Sequence, residues 1–88
     1  MPQVFTQRRD ENLDYAIDHS GRLPTGDDIE TSTWTVPDGL DDSDDAISGQ
    51  SVTIFLTGGT SGTEYTIWNQ STTEAGRIVE DFIILKVQ

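Results

Sequence analysis

Short runs in which apolar and polar side chains alternate, each closed by turn-forming residues, limit what this chain can fold into. A period of two puts every second side chain on one side of an extended backbone, whereas a helix needs apolar residues three and four apart. In residues 13–18, Leu13, Tyr15 and Ile17 face one way and Asp14, Ala16 and Asp18 the other. Leu13, Ala16 and Ile17 also fit helical spacing, but the run is short and His19-Ser20-Gly21 follows at once, which favours a strand. Residues 29–36 are rich in β-branched and aromatic types; Ile29 is out of phase with Trp34 and Val36, which predicts a bulge or bend between them. Pro37 has no N–H to donate and ends ladder pairing there. Val52, Ile54 and Leu56 mark a core face in 52–57; Tyr65, Ile67 and Asn69 mark one face of 64–70, with Trp68 on the other. In 77–87, Ile83, Leu85 and Val87 share one face and Phe82 and Ile84 the opposite one. A strand apolar on both faces is predicted to be central or covered by a partner.

Turn chemistry separates these runs. Gly21, Pro24, Gly26 and Asp27-Asp28 make 19–28 a loop, Asp38 to Asp45 reads as an exposed acidic turn, and Gly58 to Thr63 reads as a glycine-rich hairpin turn. Strands recurring at roughly 8–12 residues, with no convincing helix, predict an all-β sandwich or barrel over residues 13–88, and an Ig-like antiparallel β-sandwich is the expected form. Residues 1–12 show no period and a single apolar pair, Val4-Phe5, so they are expected to form an extended N-terminal arm, either disordered in isolation or ordered against a neighbour.

Eighty-eight residues suffice for one domain. No cysteine is present, so neither a disulfide nor a thiolate can contribute, which suits assembly in a reducing cytoplasm. No apolar run reaches the roughly 20 residues that cross a bilayer, and the stretch from Met1 to Arg9 lacks the apolar segment of an export signal despite its paired arginines. A net charge of −11 disfavours phosphate backbones and anionic membranes, so neither nucleic acid nor membrane is an expected partner. The charge is uneven: residues 1–45 hold twelve acids against three arginines, net −9, and residues 46–88 hold four acids against two basic residues, net −2. Such an excess serves solubility, or docking on a basic partner surface.

Few side chains can carry chemistry. Asp41-Asp42-Ser43-Asp44-Asp45 offers oxygens for a hard cation, yet an EF-hand beginning at Asp41 would need glycine at Ala46 and glutamate at Val52. A solvated turn is the simpler reading. His19 is the sole histidine, and neither Ser20 nor Ser32 lies in a nucleophile elbow. The turn 58–63 lacks the Gly-Lys-Ser/Thr ending of a phosphate loop. Paired carboxylates for glycoside chemistry need a cleft, and a sandwich of this size has little volume for one. Trp34 and Tyr65 are expected in the core; Trp68, on the opposite face, could pack or bind. No catalytic, metal or cofactor site is therefore expected.

Three stretches carry a family resemblance: Leu13 to Asp18 with Leu23, Gly26-Asp27-Asp28-Ile29 and Ser32-Thr33-Trp34-Thr35-Val36-Pro37; Leu56 to Ile67 with Asn69; and Thr72-Thr73 with Ala75-Gly76-Arg77. In order and spacing, over roughly residues 13–88, the chain resembles the bacteriophage fiber-tail adaptor proteins. It departs from their pattern at His19, where a tryptophan is expected, and in the acidity of Asp41 to Asp45. The resemblance implies an Ig-like, non-enzymatic structural component of a tailed-phage virion, made in the host cytoplasm. It would act as an adaptor linking fiber to tail or as a neck or tail accessory protein, in symmetric multi-copy contact with tail, fiber, neck or capsid subunits. A capsid decoration role is compatible with the same residues. A carbohydrate- or cell-surface-binding module is the alternative of another class, and an enzyme would need His19 paired with a carboxylate in a concave site. The residues expected to meet a partner are Val4, Phe5, Arg8 and Arg9 on the arm, and Trp68 on the sandwich.

Overall fold

The computed structural model describes residues 3–88. Seven strands follow one another: β1 (Gln3–Gln7), β2 (Asn12–Asp18), β3 (Ile29–Thr35), β4 (Leu40–Ser48), β5 (Ser51–Gly58), β6 (Glu64–Thr73) and β7 (Ile78–Val87), with one 3₁₀ turn at Ser20–Arg22. They form two layers, a four-stranded sheet in the order β1-β7-β6-β3 and a three-stranded sheet in the order β2-β5-β4. This is the Ig partition of strands, in which the second, fifth and fourth strands face a sheet built on the third, sixth and seventh. All pairings are antiparallel except β1–β7, which run parallel with Gln3 opposite Ile83 and Gln7 opposite Val87. No helix among the described residues is long and apolar enough to cross a membrane.

Alternation builds the core directly. Val52, Ile54 and Leu56 from β5 meet Ile67 of β6 and Ile83 and Leu85 of β7, all with at most 1% of their surface exposed. Burying each such side chain contributes roughly 1.5–3 kcal/mol. Tyr15 and Ile17 of β2 close one flank of this cluster; Trp34 packs against it half-buried. The bulge expected in 29–36 lies between Ile29 and Thr31, where the register with β6 shifts and returns Ile29 to the core. Strand β7 is central, between β1 and β6.

Two segments differ from their sequence reading. From Gln3 to Gln7 the expected arm is a strand of the larger sheet. Phe5 lies against the core with its ring 4.9 Å from that of Tyr15, and Gln7 is 2% exposed. Gln7 is held there by hydrogen bonds: Nε2 donates to the carbonyls of Glu11 (2.7 Å) and Leu56 (2.8 Å), and Tyr15 Oη donates to Oε1 (2.5 Å). A polar residue at an inward position is tolerated because its donors and acceptor are satisfied, and the same polarity hides the strand's period. Likewise, the acidic segment is no turn. Asp41 to Ser43 pair with Thr57 to Phe55 on β5, and the register slips between Ser43 and Ala46, with Asp44 at φ 52°. This strand is an edge on which only Leu40 is buried. Charges and a bulge on an edge strand deter pairing with other chains.

Candidate functional site

Exposed apolar side chains lie on both sheets, Leu13 and Ile47 on the smaller and Val4, Trp68 and Ile78 on the larger, whose outward face also brings Phe82 and Ile84 beside them. The register sets its rows from β1 across to β3: Val4 beside Ile84 and Thr66, then Phe82 beside Trp68 and Thr35. Val4 is 53% and Trp68 44% exposed, while Phe82 and Ile84 are half-buried. Trp68 leans on Phe82, ring centroids 4.5 Å apart at 40°. One row above, Lys86 and Glu64 form an ion pair at 3.5 Å; one row below, Gln70 Nε2 donates to Glu80 Oε1 at 2.9 Å. Beside Trp68, between β6 and β3, lies a hollow of about 270 Å³ lined by Thr33, Thr35, Trp68, Asn69, Gln70 and Glu80. A second, of about 280 Å³, lies between β2 and β7 and includes Asp18 and Asp81.

Among the residues expected to meet a partner, Val4 and Trp68 share this face at opposite ends of a diagonal through Ile84 and Phe82. Phe5 turns inward to the core, because neighbours on a strand point to opposite sides. Arg8 and Arg9 are exposed in the connection from β1 to β2, where the Arg8 N–H donates to Glu11 Oε1 (2.7 Å) and the Arg9 carbonyl accepts from Gly58 N–H (3.1 Å).

His19 is 1% exposed and faces an amide instead of a carboxylate: Nε2 donates to Asn69 Oδ1 at 3.0 Å. Asn69 Oδ1 also accepts from Ser71 Oγ (2.6 Å), and Asn69 Nδ2 donates to Ser32 Oγ (2.7 Å). This buried polar cluster joins the loop after β2 to β6 and β3. His19 Nδ1 and Trp34 Nε1 are the buried side-chain atoms without a partner among the described residues. The imidazole is thus almost wholly buried and held by an amide of β6. No group of three or more His, Asp or Glu side chains is placed to hold a metal ion among the described residues; Asp41 and Asp42, paired with consecutive residues of β5, alternate across the strand.

Much of the motif set noted in the sequence is structural. Asp27, 7% exposed at its side chain, receives Arg77 Nη1 (2.8 Å) and the Ala75 N–H (3.0 Å), so it fastens the loop before β3 to the β6–β7 turn. Burial raises its pKa, but hydrogen bonds from Thr73, Arg77 and Ala75 outweigh burial and leave it below the usual carboxylate value. Tyr65, at the start of β6, accepts the Thr60 N–H at its hydroxyl (2.8 Å), the corner contact typical of Ig domains. That hydrogen bonding from Thr60 holds its phenol below the ordinary tyrosine pKa. Sequence reasoning missed both contacts; the signal was Asp27 and Arg77 standing unpaired in glycine-rich turns.

The family model described as podophage GP4 fiber-tail adaptor protein gp77 matches residues 7–86. No curated protein sequence matches the chain. Among solved structures, the solution structure of the PKD domain from KIAA 1837 protein is similar over 99% of this chain and 79% of that one, with a TM-score of 0.57 and 16% identity. At that identity the likeness bears on the fold alone, and it agrees with the two-sheet Ig-like sandwich.

Proposed function

Because the chain belongs to the podophage GP4 fiber-tail adaptor protein gp77 family, we propose that it is a non-enzymatic adaptor between virion subunits, docking through the β1–β7 half of its larger sheet. The observation that carries the docking surface is the apolar diagonal of exposed Val4 with half-buried Ile84 and Phe82 on an otherwise strongly acidic molecule. On that face the Lys86–Glu64 pair cancels its own charge, so an apolar partner surface meets little repulsion there. Arg8 and Arg9, exposed beyond the end of β1, extend the contact towards acidic groups of the partner, and Trp68 marks its far border. The partners on this reading are tail and fiber subunits, met in many copies on one particle, so that modest single contacts sum through avidity. The protein is then a virion component made in the host cytoplasm, where a cysteine-free chain needs no oxidising compartment.

Phage particles lacking this protein, mixed with the purified chain and sedimented, test the proposal. Wild type is expected to co-sediment, and Val4→Asp and Ile84→Asp to lose about tenfold or more in binding, since each places a charge against an apolar contact. Absence of wild-type binding would overturn the adaptor reading; full binding by both variants would overturn the choice of face.

A further inference from the structure

The hollow beside Trp68 is chemically unlike the apolar row on the β1–β7 side. Its one apolar side chain is the indole, which has Phe82 against its β7 side and borders the hollow towards β3. Beside the indole and the threonine methyl groups stand the hydroxyls of Thr33 and Thr35, the amide of Gln70 and the carboxylate of Glu80, while Asn69, whose side chain is bonded inward, completes the lining. Gln70 and Glu80 fix each other through their 2.9 Å hydrogen bond. That bond leaves Glu80 Oε2, Gln70 Oε1 and the second Gln70 N–H without a side-chain partner among the described residues, and it holds them in position.

From this combination we propose that the hollow binds a single neutral pyranose ring. A pyranose has one face of C–H groups, which packs on an aromatic ring, and a rim of hydroxyls that both donate and accept. A carboxylate, an amide and two hydroxyls around one indole supply that complement: Glu80 accepts, the Gln70 amide does both, and the threonines do either. A volume of about 270 Å³ falls just below the ~300 Å³ at which drug-sized ligand clefts begin, so the hollow suits one ring and an extended chain would project out of it. Charge narrows the class further. Glu80 at the site and a net −11 over the molecule repel phosphorylated and acidic sugars as well as nucleotides. An apolar peptide side chain would find one aromatic wall and no apolar depth. This site adjoins the proposed adaptor contact, which it borders at Trp68, and would give the same virion component a grip on neutral glycans.

The test is titration of isotope-labelled full-length chain with glucose, galactose and N-acetylglucosamine, followed by amide and indole NMR shifts. At least one sugar is expected to produce saturable shifts at Thr33, Thr35, Gln70 and the Trp68 indole, with a dissociation constant of about 1–10 mM. Trp68→Ala is expected to abolish them, and Gln70→Ala to weaken binding by about fivefold or more, both with the melting temperature kept. The proposal is overturned if no sugar gives saturable shifts by about 50 mM, if shifts survive in Trp68→Ala, or if they centre on Val4 and Ile84, the surface assigned to protein partners.

Discussion

Gly59 offers a sharp test of how the sandwich is closed at its β5–β6 end. The residue has φ +93°, and a Cβ placed there would stand 2.8 Å from Val87 Cγ2, 3.1 Å from Leu40 Cδ2 and 3.1 Å from Tyr65 Cε2. None of the three can retreat easily: Val87 is 2%, Leu40 7% and Tyr65 8% exposed, and Tyr65 is pinned by the Thr60 N–H at 2.8 Å. Gly62, in the same loop, has φ +85°, but a methyl group on it would meet nothing within 4 Å. The two substitutions Gly59→Ala and Gly62→Ala therefore share a backbone cost and differ in packing. A left-handed conformation costs a non-glycine residue about 1–2 kcal/mol, offset by about 0.4–1 kcal/mol because alanine restricts the unfolded chain. Overpacking adds about 1–3 kcal/mol at Gly59 alone.

Gly62→Ala is then expected to lose about 1 kcal/mol and Gly59→Ala about 2–4 kcal/mol. A chain of 88 residues has a total stability of roughly 4–13 kcal/mol, so the second loss is a large fraction of the whole. For a domain of this size each kcal/mol moves the midpoint by about 4–8 °C, which puts the melting temperature of Gly59→Ala roughly 10–30 °C below wild type. Thermal and urea unfolding followed by circular dichroism would read both. If the two variants melt within a few degrees of each other, the close approach of Val87, Leu40 and Tyr65 to Gly59 is not what makes glycine necessary, and the packing account of this end is wrong.

Two further outcomes follow from buried polar groups. The folded-state pKa of Asp27 lies below its unfolded value, so its carboxylate contributes stability that is present above the unfolded pKa and lost as pH falls through the folded one. The melting temperatures of wild type and Asp27→Asn should therefore stay apart from pH 7 down to about 5 and converge below about pH 4; a gap that is unchanged at pH 3 would show that the Arg77 contact does not depend on charge. Trp34 is half-buried with its Nε1 unpartnered, so Trp34→Ala should cost about 3 kcal/mol through lost packing, whereas Trp34→Phe, which also deletes the orphan donor, should stay within about 1 kcal/mol of wild type. Equal losses in urea unfolding would show that the indole N–H has a partner.

The strands were legible in the sequence wherever inward positions are apolar, and obscure wherever they are not. β5 shows Val52, Ile54 and Leu56, and β7 shows Ile83, Leu85 and Val87, so their faces could be assigned from spacing alone. β6 was readable to Asn69 but continues to Thr73 through Ser71 and Thr73, both inward, polar and at most 2% exposed. Those residues belong to the buried cluster around His19 and Asp27, where hydrogen bonds replace apolar contact, and hydrophobic periodicity carries no signal for such positions. β1 was hidden in the same way by Gln7, and β4 by Asp42, which stands opposite Leu56 and yet is exposed. The outward face of the larger sheet was half legible: Trp68 could be set opposite Tyr65, but Thr33 and Thr35 of β3, Phe82 and Glu80 of β7 and, further off, Val4 of β1 join its face only through the register.

The uneven charge has the same origin. In sheet order, β1 and β3 are the edges of the larger sheet and β2 and β4 the edges of the smaller, while β5, β6 and β7 are all interior. The first four strands in sequence are thus the four edges, and the last three the centres. An edge strand exposes unpaired backbone groups and needs charges or bulges to stay unpaired, whereas a central strand needs side chains that pack. Twelve of the sixteen acids accordingly fall in residues 1–45. They are unevenly spread even there: β2 carries Asp14 and Asp18 and β4 carries Asp41, Asp42, Asp44 and Asp45, while β1 carries none and β3 only Glu30. The acidic excess is therefore concentrated on the edges of the smaller sheet, which are guarded against other strands. The larger sheet is bounded by the two weakly charged edges, β1 and β3, and exposes Val4 and Trp68 on its outer face.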